Sequence, residues 1–508
     1  MVKCAGKGVV GGAVATLLAC VLTPALAQSP PPYRPPVQMA PGGPIAPPAA
    51  PILPIVLSPA QVELLQRALA EADSHGFDPG EFAPRGADQT ALIEAAVRYA
   101  AAVRVGRLNA ESFREDWGLR PQPFDARAGL VRALAENRLD TWLASLPPPY
   151  PGYESLQKGL VSYRRIAANG GWRPLTPGPD LKLGATGPAV EELQARLAAE
   201  DPSAPAAVAR VTLPPGSPPP APGQPSQVGQ PLFDAGLEEA VKRAQKRMGI
   251  EPTGVVGAGT RAALAVPVER RIDQIVANME RWRWLPQALP ANRIQVNVAA
   301  GVLTAYRDDQ PALSMRAVTG KPGTETPLLS SAIDNIVLNP PWNVPTGIAA
   351  RELFPKGRGY LAARGFRVIP LEGGGARLQQ APGPGSALGL IKFDFPNPYA
   401  VYLHDTPSKG GFARYTRLAS HGCVRLEKPR ELALLLLEGD PVWTPEAVDA
   451  TIAAGETVRA PVARPMAVFL LYWTAYVTAD GQVNFRQDPY GWDRLLVERI
   501  AAQRGLAT

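Results

Sequence analysis

"RIQVNVAAGVLTAYRDDQPALSMRAVTGK", Arg293 to Lys321, is where the periodicity of this chain changes. Upstream, apolar residues recur every three or four positions. Here branched and polar residues alternate, and a short turn at "RDDQ" separates two such runs. Alternation at period two marks strands with one buried face, and a turn between them predicts a hairpin. "NIVLNPPWNVP" (335–345) and "YAVYLHD" (399–405) extend the strand pattern. The tail "PMAVFLLYWTAYVTADGQVNFRQDPYGWD" (465–493) predicts one more hairpin. Helices first and strands second predict an α+β multidomain chain.

Moving upstream, "ERRIDQIVANMERWRWLP" (269–286) predicts a long amphipathic helix ending in Trp282 and Trp284, whose spacing suits packing between domains. Before it, "LKLGATGPAVEELQARLAAE" (181–200) and "LFDAGLEEAVKRAQKRMGIEPTGVVGAGTRAAL" (232–264) predict a small three-helix unit. The proline-rich stretch between them fits only a surface loop. "SPAQVELLQRALAEADSHG" (58–76), "DQTALIEAAVRYAAAVRVGRLN" (88–109) and "DARAGLVRALAENRLDTWLASL" (125–146) predict a further helical block, in which His75 is read as structural. The expected boundaries are 57–175 for the helical block, 176–268 for the small unit with its insertion at 202–230, and 269–292 for the connecting helix. The strand domain is expected at 293–459, with a glycine-rich flap at about 346–390, and a hairpin and helix at 460–508.

A length of 508 residues exceeds one core and fits about three domains. The net charge of +7 is a mild bias, and no Lys/Arg block interleaved with aromatics argues for nucleic acid. "MVKCAGKGVVGGAVATLLACVLTPALAQ" joins Lys3 and Lys7 to a short apolar run and a small-residue site after Ala27. It reads as a secretory signal (1–27), with lipidation at Cys20 the less favoured alternative, and therefore predicts a periplasmic protein. A proline-rich tether (28–56) follows, and no later run is apolar enough to span a membrane.

Cleavage after Ala27 leaves Cys423 as the one thiol, in "RLASHGCVRLEKP" (417–429). Four readings compete: a buried apolar thiol, a metal site with His404 and His421, a nucleophile, and a redox switch. The polar turn weighs against the first, and guanidinium and imidazole neighbours predict a lowered thiol pKa. A three-ligand metal site lacks recognisable spacing, and a redox switch lacks a resolving cysteine. Nucleophilic catalysis needs a base and backbone donors for an oxyanion. His421 lies about 6–7 Å along extended chain, awkward for proton transfer, so geometry leans to His404 at a strand end. Gly422 permits close backbone approach.

His404, fifteen residues, then Ser420-His421-Gly422-Cys423-Val424-Arg425 resembles the signature of L,D-transpeptidases with a YkuD-type catalytic domain. The phrases "NPPWNVP" and "PGPGSALGLIKFDFPNPYAVYLHD", and the order of parts, are similar to the large periplasmic murein enzymes of the YcbB type. The repeated glycine turns and helix faces of 181–264 resemble a peptidoglycan-binding domain. Ser386 stands where the family phrase carries asparagine, and the proline-rich insertion is a second departure.

The resemblance implies a mixed, β-sandwich-like catalytic domain with a capping flap, and no metal or organic cofactor. It implies Cys423 as nucleophile and His404 as base, oriented by the backbone carbonyl of Asp405. Backbone around His421, Gly422 and Cys423 would form the oxyanion hole, with Ser420 and His421 shaping the turn. Arg425, Arg417 and Tyr402 would meet substrate. It further implies 3→3 cross-linking through a thioester, carbapenem sensitivity and peptidoglycan stem peptides as partners. Hydrolysis, attachment of an outer-membrane lipoprotein, association with peptidoglycan synthases and a non-catalytic wall-binding scaffold stand as alternatives or additions.

Overall fold

The computed structural model describes residues 56–78, 80–212 and 227–506. The expected leader, nearly all of the tether and the middle of the insertion lie outside the described residues. Helices α1 (Pro59–Ala70), α2 (Gln89–Val105) and α3 (Ala126–Ala135) each begin at a side-chain cap: Ser58, Asp88 and Asp125. Such caps satisfy backbone donors that the first turn leaves open. With α4 (Leu139–Ala144) these helices bury Leu65, Leu92, Ile93, Leu130 and Leu139 in one cluster, beside a second around Phe77, Phe82 and Tyr99. His75 lies buried there and hydrogen-bonds the Tyr153 hydroxyl at 2.9 Å. Burial pushes its pKa down to about 3, so the ring is neutral.

α5 (Pro151–Ala168) leads into the small unit, where α6 (Pro188–Ala198), α7 (Ala235–Arg247) and α8 (Ala258–Leu264) close over Val190, Leu193, Phe233, Leu237 and Val241. The flanks of the insertion, β1 (Ala209–Arg210) and β2 (Pro231–Leu232), pair antiparallel. Glu200 joins this unit to α5, accepting from the Tyr163 hydroxyl at 2.7 Å and facing Arg196 at 2.6 Å.

α9 (Val268–Trp282) packs on α5 and on the C-terminal segment. Trp282 stacks on Trp473 with ring centres 4.5 Å apart, and Trp284 is buried against Trp117. Both tryptophans therefore pack between domains, as the helical spacing predicts.

The strand region is built on β3 (Arg293–Asn297), β4 (Val302–Arg307), β5 (Gln310–Gly320) and β6 (Leu329–Leu338). The flap follows: β7 (Trp342–Val344), α10 (Thr346–Ile348), α11 (Gly357–Ala363), β8 (Phe366–Pro370) and β9 (Ala376–Gln380). β10 (Ile391–Asp394), β11 (Leu403–His404), β12 (Leu418–Ser420) and β13 (Val424–Leu426) return to the main sheet. α12 (Pro429–Leu436), α13 (Pro445–Ala454) and β14 (Val458–Leu471) come next, then the hairpin β15 (Ala475–Val477) and β16 (Val483–Phe485), and finally α14 (Trp492–Leu506).

The strand order is β12-β5-β13-β11-β10-β6-β14-β3-β4, and β4 pairs back on β5, so the sheet closes on itself. Pairings β3–β14, β11–β13 and β5–β12 are parallel and the rest antiparallel, a mixed sheet around Ile294, Val296, Leu303, Ile336, Phe393 and Leu403.

Two features differ from the sequence reading. β14 runs through the expected boundary at 459/460, and Ala467–Leu470 pair with both β3 and β6, so this strand belongs to the main sheet. Pro461 and Pro465 disguise it, because proline interrupts a ladder, and the register shifts between Pro461 and Met466. The flap carries a three-stranded sheet, β7-β9-β8, with its own core of Val344, Leu353, Leu361 and Leu378.

Candidate active site

β11 and β13 run side by side with Leu403 opposite Val424 and His404 opposite Arg425. Side chains alternate across a strand, so Leu403 and Val424 enter the core, both fully buried. The residues flanking them in sequence, Tyr402 and His404 around Leu403 and Cys423 and Arg425 around Val424, share the opposite face. All four line a cavity of about 310 Å³, roofed by Trp342, Ile348 and Arg351 of the flap.

The turn carrying Cys423 is clamped. Ser420 Oγ donates to the Cys423 carbonyl at 2.5 Å, and the Gly422 N–H donates to Ser420 Oγ at 3.2 Å. Thr326 Oγ1 donates to the Gly422 carbonyl at 2.8 Å and Thr324 Oγ1 to the Ser420 carbonyl at 3.1 Å. Gly422 has φ of 108°, and a Cβ there would stand 3.2 Å from the Glu325 carbonyl oxygen, so the turn requires glycine. Sequence reading missed the threonines, because nothing in "GKPGTETP" marks them as partners of a turn almost a hundred residues away.

His404 is buried, with Nδ1 bonded to the backbone carbonyl of Asp405. That contact occupies Nδ1, and the backbone of Leu388 also bears on the ring. Burial, with the Arg425 charge adding to it, pushes the imidazole pKa down to about 4, so the ring is neutral at pH 7. The Asp405 carboxylate accepts from the Leu390 N–H at 2.9 Å and from Lys409 at 2.5 Å. No hydrogen bond joins the imidazole and the thiol among the described residues. Tyr402 acts on the thiol electrostatically, its backbone and side chain opposing the rise in the thiol pKa, and Trp342 of the flap has the same effect on Tyr402.

The expectation of a lowered thiol pKa is overturned: burial pushes Cys423 up, and Tyr402, Lys392 and Arg425 offset that only in part. Removing solvent from the sulfur costs its anion more than the nearby cations return. Lys392 lies 4.3 Å from the centre of the Tyr402 ring.

The fold thus brings a thiol and an imidazole to the lining of one cavity, in a region that resembles a known family. Residues 291–443 match the family described as L,D-transpeptidase catalytic domain. The chain carries an L,D-transpeptidase catalytic domain. Residues 54–160 match a scaffold domain and 223–264 a candidate peptidoglycan binding domain. A candidate L,D-transpeptidase of Haemophilus influenzae is 35% identical over 246 residues, covering 44% of this chain and 49% of the relative. The chain thus spans about half the length of that curated relative. Among solved structures, the L,D-transpeptidase from Mycobacterium smegmatis is 15% identical with a TM-score of 0.19, over 36% of this chain and 58% of its own. That from Xylanimonas cellulosilytica is 16% identical with a TM-score of 0.19, over 58% of this chain and 100% of its own.

Within the L,D-transpeptidase domain, the other expected residues divide. Arg425 lines the cavity and makes no hydrogen bond or ion pair among the described residues, leaving its guanidinium open to a carboxylate. Arg417 does not reach this cavity; its guanidinium bonds the carbonyls of Ala300, Gly301 and Arg414 and lines a neighbouring one. His421 lines the cavity and binds Glu352 of the flap at 2.7 Å, a tie invisible in sequence because the two are 69 residues apart. Ser386 is buried, and its carbonyl accepts the Gly389 N–H at 2.9 Å.

Proposed function

We propose that this chain is an exported enzyme of the periplasm that joins peptidoglycan stem peptides through a Cys423 thioester, forming 3→3 links between diaminopimelate residues. The supporting observation is the register that sets Tyr402, His404, Cys423 and Arg425 on one face of β11 and β13, inside one cavity under the flap. Cys423 Sγ attacks the carbonyl linking diaminopimelate to the terminal D-alanine of a tetrapeptide. Thiol and imidazole both start neutral, so His404 takes the thiol proton as the S–C bond forms and passes it to the departing D-alanine amine. The Tyr402 hydroxyl supports the developing charge on sulfur, and Arg425 holds a substrate carboxylate. The side-chain amine of a second diaminopimelate then attacks the thioester, restoring the thiol.

Incubating the purified protein with disaccharide-tetrapeptide and resolving products by mass spectrometry tests this reading. Wild type should give cross-linked dimers and release D-alanine, whereas Cys423→Ala should give neither, a loss of at least about 10³-fold, as expected when a covalent nucleophile is removed. Tripeptides alone would indicate water as acceptor; dimers from Cys423→Ala would refute the assignment. Attachment of a lipoprotein lysine is the same chemistry with another amine.

A further inference from the structure

A second cavity, of about 180 Å³, lies beyond β12, where Gly249 of the peptidoglycan-binding unit, the β3–β4 turn at 298–302 and the segment 486–489 meet. Its charged lining is Arg417 and Arg486, with no carboxylate. Arg417 donates to the carbonyls of Ala300 at 2.9 Å, Arg414 at 3.0 Å and Gly301 at 3.3 Å. Arg486 donates through Nη1 to the carbonyls of Phe485 at 2.7 Å and Arg247 at 3.4 Å, while its Nε and Nη2 make no hydrogen bond among the described residues. Neither guanidinium has a carboxylate partner among the described residues. The adjoining cavity shares Arg486, and its acids are already engaged: Asp273 with Arg270 at 3.1 Å, Asp493 with Arg281 at 2.5 Å, and Asp488 with the Tyr472 hydroxyl at 2.7 Å.

Two like charges facing one cavity repel, and carbonyl dipoles balance them only in part. Burial and the nearby charges of Arg316 and Arg486 weaken the hold of Arg417 on its proton. The arrangement is nevertheless built: Gly249 packs so closely that a Cβ there would stand 2.6 Å from Arg486 Cδ. A planar guanidinium with free donors suits a carboxylate. β12 connects the two cavities, with Leu418 lining this one and Ser420 the catalytic one. At about 3.3 Å per strand residue they lie about 7 Å apart along the chain, within reach of one short peptide.

We propose that this cavity is a subsite for a carboxylate of the acceptor stem, the wall peptide whose amine attacks the thioester. The inference rests on the transpeptidase reading of Cys423. Arg425 and Arg351 serve the donor under the flap; Arg486, with Arg417, holds the second stem outside it.

The test uses the purified chain with tetrapeptide as fixed donor and a stem tripeptide, which has no D-alanine to lose, as varied acceptor. Acylation of Cys423 by a carbapenem is followed separately by intact mass. Arg486→Gln should raise the acceptor KM about tenfold, the scale of one charge-assisted hydrogen bond, with Arg486→Lys intermediate and carbapenem acylation unchanged in both. An unchanged acceptor KM in Arg486→Gln overturns the proposal. Loss of acylation together with cross-linking also overturns it, by assigning Arg486 to structure. Inhibition by inorganic phosphate stronger than by free tripeptide would give the cavity to phosphate esters instead, and wild type yielding only hydrolysed stems would leave no acceptor for it. A wild type that is neither acylated nor active marks the separate failure of the Cys423 reading.

Discussion

Cys423 begins the reaction as a half-buried neutral thiol, not as a stored thiolate. Its pKa is raised by burial, and the neutral His404 beside it has been pushed down to about 4. The sign of the pH dependence follows. Protonating His404 removes the base, so carbapenem acylation should hold steady from neutral pH down to about 5 and fall as pH drops through about 4. On the alkaline side the rate should climb as the thiol ionises. Tyr402→Phe removes the hydroxyl that lowers the thiol pKa, so it should move that limb to higher pH and slow acylation at pH 7 about tenfold, the scale of a hydrogen bond to a charged group. Stopped-flow acylation across pH reads both limbs. An unmoved alkaline limb in Tyr402→Phe would deny the hydroxyl its role.

The flap is an element with a core of its own, and Glu352 ties it to the turn that carries Cys423. Glu352 Oε1 meets His421 Nε2 at 2.7 Å, with 42% of the glutamate side chain and 28% of the histidine side chain exposed. Pairs this open contribute about 0.2–1 kcal/mol. Glu352→Gln should therefore alter the KM for substrate by no more than about fivefold. It should leave the melting temperature unchanged and speed amide hydrogen exchange in the flap helices. Unaltered exchange there would mean that the flap is held by its Trp342–Tyr402 contact and not by this pair. The glycines of "LEGGGARLQQAPGPGSALG" marked a flap, yet its sheet was not legible: β7 and β9 pair across more than thirty residues of irregular sequence.

At the scale of the whole molecule, the helical block and the catalytic sheet are joined through α9. Arg283, fully buried, donates to Glu280 at 2.8 Å, to the His75 carbonyl at 2.6 Å and to the Tyr153 hydroxyl at 2.9 Å. Glu280 also accepts the Arg107 N–H at 2.6 Å. Removing one member of a buried pair strands the other charge, at a cost of about 3–5 kcal/mol. Glu280→Ala should lower the urea unfolding free energy by that amount while leaving carbapenem acylation of the folded fraction intact. A loss below about 1 kcal/mol would mean that solvent reaches Arg283.

What could be read directly from the residues was local. Capping residues, helical period and the switch to alternation at Arg293 follow from the chain's own geometry, and they mark where helices give way to strands. His404 and Cys423 stood out because imidazole and thiol have few other uses in a polar turn. Partners across space were another matter. Period two assigns a side chain to a face but not to a neighbour, so the register placing Tyr402 against Cys423, the entry of β14 into the sheet and the turn of Arg417 toward a second cavity waited on the fold. The direction of the thiol pKa waited too, because the cavity around it is lined by Thr324, by the chain leading into β11 and by the flap together, and no stretch of sequence contains them all.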